Sequence, residues 1–151
     1  MEWVYDLQGQ VVGIDSSPFI YYIEAHPSYL EMVQPFFEGV RQGKFRAVTS
    51  VVTLLELLVH PYRRNNSQLA DEYREILLHS NNITCMGVTT EIAERAAILR
   101  SEHPIHTPDA IQMGTALIGR ATYFLTNDAR LPSLPGMRVL MLDQLRQGPP
   151  R

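Results

Sequence analysis

Short apolar segments alternate with longer segments of mixed character along the chain. Five of the apolar segments have the length of a strand: 10–15, 45–50, 82–88, 121–126 and 137–142. The longer segments repeat apolar residues at helical spacing, as Ile92, Ala96 and Leu99 do in 90–103. Strands that alternate with helices predict a parallel sheet with helices on both faces. We therefore expect an α/β fold: a three-layer α/β/α sandwich with a mainly parallel sheet of about five strands.

Capping residues and prolines predict where the helices begin and end. Ser17 is the expected N-cap after the first strand, Ser50 after the second, and Thr107 before the last long helix. Pro61 is expected to end the leucine-rich helix, because proline lacks the amide hydrogen that helix propagation needs. The predicted helices span about 18–25, 28–42, 51–59, 68–80, 90–103 and 106–120.

The composition is that of an ordinary globular protein. Of the 151 residues, 45% are hydrophobic and 19% are charged, which predicts a single domain over 1–151. Its core should span about 11–145, with a short N-terminal lead and a loose C-terminal tail. Cys85 is the one cysteine, so an intrachain disulfide and a cysteine-based zinc site are excluded. With no apolar stretch of membrane-spanning length and no signal-peptide pattern, we expect a cytoplasmic protein.

Four acidic residues fall at the junctions between predicted strands and helices. Asp15 ends the first strand, and Glu56 lies about two turns into the helix after the second. Asp109 lies in the first turn of the helix before the fourth strand, and Asp128 follows that strand. Ligands of parallel sheets bind at the carboxyl ends of the strands, where the strand order reverses. We therefore expect these four carboxylates to converge at that edge.

Each acid also has a local explanation. Asp15 can cap the next helix, Asp109 can complement a helix dipole, and Asp128 can be a turn residue. Glu56 can pair with an arginine or reach solvent, although its apolar neighbours favour a place near the core. Four carboxylates together would repel one another, and a hard divalent cation relieves that repulsion through oxygen ligands. The sequence therefore predicts a Mg²⁺ or Mn²⁺ site that supports phosphodiester hydrolysis.

Several motifs occur in an order that resembles a known family. "VVGIDSSPFIYY", "TSVVTLLELLVHP", "HTPDAIQMGTALIGRATYFLTNDARL" and "MRVLML" are similar to segments of the PIN-domain family, particularly VapC-type ribonucleases. The resemblance implies RNA cleavage that depends on one or two Mg²⁺ or Mn²⁺ ions. It also implies that the four acids, Asp15, Glu56, Asp109 and Asp128, hold the metal and act in catalysis. Ser16 and Thr126 correspond to small hydroxyl residues near the metal in such domains, although each can equally serve as a local cap.

The resemblance also implies partners. The bacterial members are often toxins of toxin–antitoxin pairs, dimeric and held inactive by an antitoxin, so we expect an RNA substrate, a cognate antitoxin and a homodimer. The net charge of −3 does not by itself indicate a nucleic-acid partner. Basic residues that can contact RNA phosphates are Arg130, Arg46 and Lys44, and further ones are Arg41, Arg63 and Arg64.

Two other functions stay open on the sequence. The same fold can serve as a non-catalytic module that binds RNA or protein, with the acids retained for stability. A DNA nuclease is a nearer alternative, because a metal-activated water does not itself distinguish the sugar. A phosphoaspartyl switch domain fits less well, since the one lysine, Lys44, precedes the second strand rather than following a late one.

Overall fold

The structure is a computed structural model that describes residues 2–146. Within that range the chain forms five strands: β1 (Val11–Ile14), β2 (Arg46–Ser50), β3 (Ile83–Met86), β4 (Tyr123–Thr126) and β5 (Arg138–Met141). The helices are α1 (Glu2–Tyr5), α2 (Ser16–Ile23), α3 (Leu30–Arg41), α4 (Val51–Arg63), α5 (Ser67–His79), α6 (Thr90–Glu102), α7 (Thr107–Ile118) and α8 (Leu142–Arg146). No helix in this range is both long and apolar enough to cross a membrane.

The strands form one parallel sheet in the order β3-β2-β1-β4-β5. Val12 of the central strand pairs with Ala47 on one side and Tyr123 on the other. From β1 the chain builds outward through β2 to β3, then crosses back to add β4 and β5 on the other side. The strand order therefore reverses next to β1, and all the strands end at the same edge. The predicted parallel α/β architecture is confirmed.

Two apolar clusters, one on each face of the sheet, complete three layers. One cluster packs Phe19 of α2, Phe36 of α3 and Tyr73 of α5 against the sheet. The other packs Leu99 of α6 and Met113 of α7 against the opposite face. Neighbouring residues of one strand serve different clusters, because successive side chains of a strand point to opposite faces. The sheet is therefore covered on both sides.

Some predicted boundaries were wrong. The N-cap of α2 is Asp15 rather than Ser17, and that of α7 is His106 rather than Thr107, whose hydroxyl accepts a hydrogen bond from Arg100 at 2.9 Å. Helix α4 continues through Pro61 to Arg63. In this last turn the proline removes one amide donor, and the Arg64 amide still reaches the His60 carbonyl at 3.2 Å. A single lost hydrogen bond does not end the helix there.

Two short terminal helices, α1 and α8, were not predicted. Trp3 of α1 stacks on Phe36, with ring centroids 6.1 Å apart, so the N-terminal lead packs on the domain. Leu142, predicted as the end of the last strand, instead begins α8. The tail predicted over 146–151 falls, after Arg146, outside the described residues.

Gly13 lets α7 lie directly on the central strand. A Cβ at this position would lie 2.6 Å from the Ala116 Cβ and 2.7 Å from the Phe124 Cδ2. Both distances are shorter than carbon atoms tolerate, so glycine is required for this close approach. The contact matters for the cleft described below, because α7 carries Asp109.

We predict that Gly13→Ala lowers the free energy of unfolding by about 1–3 kcal/mol, the usual cost of overpacking a core. Urea unfolding followed by circular dichroism measures the change. Gly87→Ala is the control, because a Cβ at Gly87 would meet no atom within 4 Å. Equal stability of Gly13→Ala and the parent protein would contradict the packing argument.

Candidate active site

A cleft of about 580 Å³ opens at the carboxyl edge of the sheet, beside β1 and β4. Asp15, Glu56, Asp109 and Asp128 all line it. They come from the end of β1, from α4, from the first turn of α7 and from the segment after β4. The convergence predicted from the parallel strand order is therefore present in the structure.

Asp15 is the most buried of the four acids, with 8% of its surface exposed. Its Oδ1 accepts a hydrogen bond from the Ser16 amide at 2.7 Å, and its Oδ2 accepts one from the Thr126 hydroxyl at 2.6 Å. Burial raises the pKa of Asp15 above its usual value, and these two hydrogen bonds oppose the rise. Asp15 thus caps α2 and lines the cleft at once.

Glu56 is exposed to the cleft rather than buried, which corrects the expectation drawn from its apolar neighbours. Helical rotation turns Leu57 into the core but leaves Leu55 63% exposed, so the run does not bury both sides of the helix. The Oε1 atom of Glu56 accepts hydrogen bonds from the Ser16 hydroxyl and the Gln112 amide, both at 2.9 Å.

Asp109 lies among the other three acids, in the first turn of α7. Partial burial raises its pKa, and the negative charges of Asp15, Asp128 and Glu56 raise it further. Within residues 2–146 its carboxylate accepts no hydrogen bond. Its charge is therefore the least compensated in the cleft.

Asp128 is held by the basic residue two positions later. Arg130 donates from Nε at 3.0 Å and from Nη2 at 2.7 Å to the two carboxylate oxygens. The Asp128 amide donates to the Thr126 hydroxyl at 3.0 Å. The Arg130 guanidinium lowers the pKa of Asp128. Because the arginine side chain is 67% exposed, this ion pair is open to solvent and to competing ligands.

The donor set of the cleft suits a hard divalent cation. All four acids supply carboxylate oxygens, which Mg²⁺ and Mn²⁺ prefer, and the pKa of Asp109 is raised by partial burial and by the negative charges of the other three. In the described part of the chain, however, no three His, Cys, Asp or Glu side chains are arranged to hold a metal. Glu56 faces Ser16 and Gln112, and Asp128 faces Arg130. A cation would therefore have to draw these carboxylates away from their present partners.

The basic residues proposed to contact RNA separate into two groups. Arg130 lines the cleft. Lys44 and Arg46 precede or begin β2, so they lie at the amino edge of the sheet, opposite the cleft. Neither lines the cleft, and the expectation that they reach a substrate there loses its support. Arg41 pairs with Glu38 on the surface of α3, and Arg63 and Arg64 do not line the cleft either.

Sequence reasoning missed Gln112 and Asn127. Gln112 lies one helical turn after Asp109, a spacing that places both on one face of α7 and that was readable from the sequence. Asn127 also lines the cleft; its side chain donates to the Tyr21 hydroxyl at 3.1 Å and accepts from the Asp143 amide at 3.0 Å. These hydrogen bonds join three segments that are far apart in the sequence, so no sequence spacing predicts them.

We predict that Asp109→Asn raises the melting temperature of the metal-free protein at pH 7. Because the pKa of Asp109 is raised, its ionised form opposes folding; this cost is full above the folded-state pKa and absent below the usual value of 3.8. The difference should therefore vanish as the pH falls below that value. Calorimetry in EDTA across this range measures it.

Asp71→Asn is the control for that measurement, since Asp71 is an exposed aspartate paired with Arg74 on α5. A melting temperature of Asp109→Asn at or below that of the parent at pH 7 would show that neighbouring charges do not oppose folding at this position.

Several solved structures share this fold. A toxin–antitoxin complex from Klebsiella pneumoniae matches with a TM-score of 0.64 and 20% identity, over 84% of this chain and 94% of the other. VapBC2 from Rickettsia felis, bound to a DNA fragment from its promoter, matches with a TM-score of 0.68 and 16% identity, over 87% of this chain and 98% of the other. VapC20 from Mycobacterium tuberculosis, a sarcin–ricin loop cleaving toxin, matches with a TM-score of 0.59 and 18% identity, over 76% of this chain and 86% of the other.

The sequence comparisons add the family. No curated protein sequence matches the chain. The family model described as PIN domain matches residues 12–137, which include all four acids of the cleft. Because this match covers most of the chain, the protein belongs to the PIN-domain family.

Proposed function

We propose that this protein is a Mg²⁺- or Mn²⁺-dependent endoribonuclease that hydrolyses RNA phosphodiester bonds, a VapC-like toxin. The observation that carries the proposal is the meeting of Asp15, Glu56, Asp109 and Asp128 in one open cleft of a PIN-family chain. The similarity to VapC structures, one of them described as a sarcin–ricin loop cleaving toxin, supports it. The nuclease acts as a single domain with its core at about 11–145.

The four acids would hold one or two cations. Asp15 would be the fixed ligand, because Ser16 and Thr126 already hold its carboxylate. Asp109 is free to turn, since no hydrogen bond restrains it within the described residues. A bound divalent cation would supply positive charge at the scissile phosphate and favour ionisation of the attacking water.

The chain's own groups would orient the substrate and the attacking water. Glu56 uses Oε1 for its two hydrogen bonds, which leaves Oε2 to accept a hydrogen bond from water or to bind the cation. Arg130 would exchange Asp128 for a phosphate of the RNA, because guanidinium groups bind both anions with the same planar fork. No protein nucleophile is needed.

We predict that the purified protein cuts a mixed-sequence RNA in Mn²⁺ or Mg²⁺ and that EDTA stops the reaction. Asp15→Asn should reduce the rate by more than the roughly 10–100-fold typical of groups outside the metal's ligand shell. Gel analysis of end-labelled RNA measures the rate, and a matched DNA strand separates ribonuclease from deoxyribonuclease activity.

Asp71→Asn is again the matched control and should cut RNA as fast as the parent. Equal cutting by Asp15→Asn and the parent would place the activity elsewhere or in a contaminant. If the parent neither cuts RNA nor gains thermal stability from Mn²⁺, the alternative stands: a non-catalytic RNA- or protein-binding module.

We also propose a cognate antitoxin as partner. The Klebsiella, Rickettsia and Salmonella typhimurium neighbours are toxin–antitoxin or VapBC assemblies. In this chain α4 exposes four apolar side chains at helical spacing, which form a stripe of Val51, Leu55, Val59 and Tyr62. An apolar stripe on a surface helix is typical of a protein contact. The homodimer stays a prediction.

We predict that Leu55→Glu prevents stable association with the protein encoded beside this gene, because it places a charge in the centre of the stripe. Co-expression and size-exclusion chromatography measure the complex. Leu78→Glu, at an exposed apolar position on α5, is the control. Undiminished complex formation by Leu55→Glu would remove α4 from the interface.

A further inference from the structure

Gln112 is a buried amide that joins three elements beneath the cleft. Only 3% of its surface is exposed. Its Nε2 lies 2.9 Å from the Glu56 Oε1, 2.9 Å from the Thr53 hydroxyl and 3.3 Å from the Ser16 hydroxyl. One side chain of α7 therefore contacts α4 twice and the start of α2 once. It does not line the cleft and so has no direct access to a substrate.

Two hydrogen bonds hold one oxygen of the Glu56 carboxylate. Nε2 carries two hydrogens, and its two short contacts are Glu56 and Thr53. The Ser16 hydroxyl donates its own hydrogen to the same Oε1 of Glu56 at 2.9 Å. Two donors thus converge on one carboxylate oxygen. The other oxygen, Oε2, is left for the cleft.

The orientation of the amide has one arrangement that suits an ionised glutamate. Rotating the amide by half a turn would place its carbonyl oxygen against the carboxylate, and the two would repel. In the orientation found, the Gln112 Oε1 is buried and has no hydrogen-bond partner among the described residues. Buried polar atoms without partners are rare and destabilising. In this arrangement the Gln112 carbonyl oxygen stays unpaired within residues 2–146 while its amide nitrogen holds Glu56.

The same amide also acts on Asp15. The nearby Gln112 amide lowers the pKa of Asp15 slightly, less than the hydrogen bonds from Thr126 and Ser16 do. Gln112 is thus a neutral donor placed between two of the acids. Because the amide is neutral, it adds no positive charge that would compete with a cation.

We propose that Gln112 is a positioning residue of the nuclease, which fixes the Glu56 carboxylate so that its Oε2 serves the cation or the attacking water. The inference rests on the proposed function. Residues that orient metal-binding groups without touching the metal typically contribute 10–100-fold to activity or metal affinity. Gln112 acts through Glu56 and does not contact the substrate.

The test is Gln112→Met, which keeps volume and helix propensity but removes both amide groups. We expect kcat for RNA cleavage in Mn²⁺ to fall about 10–100-fold, with KM unchanged because the amide does not reach the RNA. The rise in melting temperature that Mn²⁺ produces should shrink. Without metal, the melting temperature should stay the same or rise, because an unpaired buried oxygen is lost.

Thr115→Val is the matched control. Thr115 is fully buried on the same helix, and its hydroxyl donates to the Ile111 carbonyl at 2.7 Å, away from the acids. It should keep the parental kcat. A second measurement combines Gln112→Met with Glu56→Gln: if Gln112 acts through Glu56, Gln112→Met should add nothing in the Glu56→Gln background.

The outcomes distinguish the two proposals. A parent protein that does not cleave RNA overturns the proposed function and this inference with it. Parental cleavage with an unchanged kcat in Gln112→Met overturns the inference alone. The inference alone is also overturned if Gln112→Met lowers both kcat and the metal-free melting temperature. The same holds if the effects of Gln112→Met and Glu56→Gln on kcat are independent. A reduced kcat at an unchanged metal-free melting temperature, lost in the Glu56→Gln background, establishes the positioning role.

Discussion

The hydrogen bond from Thr126 to Asp15 joins the two strands between which the order of the sheet reverses. It lies just beyond β1 and at the end of β4, and the Asp15 amide continues the strand pairing by donating to the Leu125 carbonyl at 3.0 Å. The backbone therefore fixes where Asp15 begins α2, and the side-chain bond fixes how its carboxylate is turned. Thr126 also accepts from the Asp128 amide, so one hydroxyl places two acids relative to each other. The rest of the cleft is built around this pair.

The four acids are compensated unequally, and the difference follows from local chemistry. The Asp15 carboxylate accepts hydrogen bonds from a hydroxyl and a backbone amide, and that of Glu56 from a hydroxyl and a side-chain amide. The Asp128 carboxylate is paired with a guanidinium group. Among the described residues Asp109 accepts no hydrogen bond, and its negative charge is favoured weakly by the first turn of its helix and by the charge of Arg130. The folded protein thus keeps an excess of negative charge at one edge of its sheet. Such a cost to stability is typical of sites where function rather than folding sets the residues.

Much of the fold and of the site followed from the sequence because both depend on local signals. Short apolar runs such as Val11–Ile14 predict buried strands, and their alternation with helices predicts parallel order, which in turn places the acids after strand ends at one edge. The position of Lys44 and Arg46 at the opposite edge follows from the same rule, since Lys44 precedes β2 and Arg46 begins it. The exposure of Glu56 did not follow, because helical rotation rather than the chain neighbours decides which face a residue occupies.

The contacts of Gln112 lay beyond sequence reasoning for another reason. They depend on the distance between α7 and α4, which tertiary packing sets. The passage of α4 through Pro61 is similar: its cost is one hydrogen bond, and whether packing of the buried ring compensates it is decided by the whole domain.

The contact between Gly13 and Ala116 gives the cleft a mechanical basis. Ala116 lies seven residues after Asp109 on the same helix, about 10 Å along its axis, and rests on the central strand where no side chain intervenes. The height of α7 above the sheet, and with it the separation of Asp109 from Asp15, is therefore set by side-chain volume at a contact two helical turns from Asp109 and two residues before Asp15. The spacing of the acids in this protein is a packing variable that can be adjusted without altering any acid.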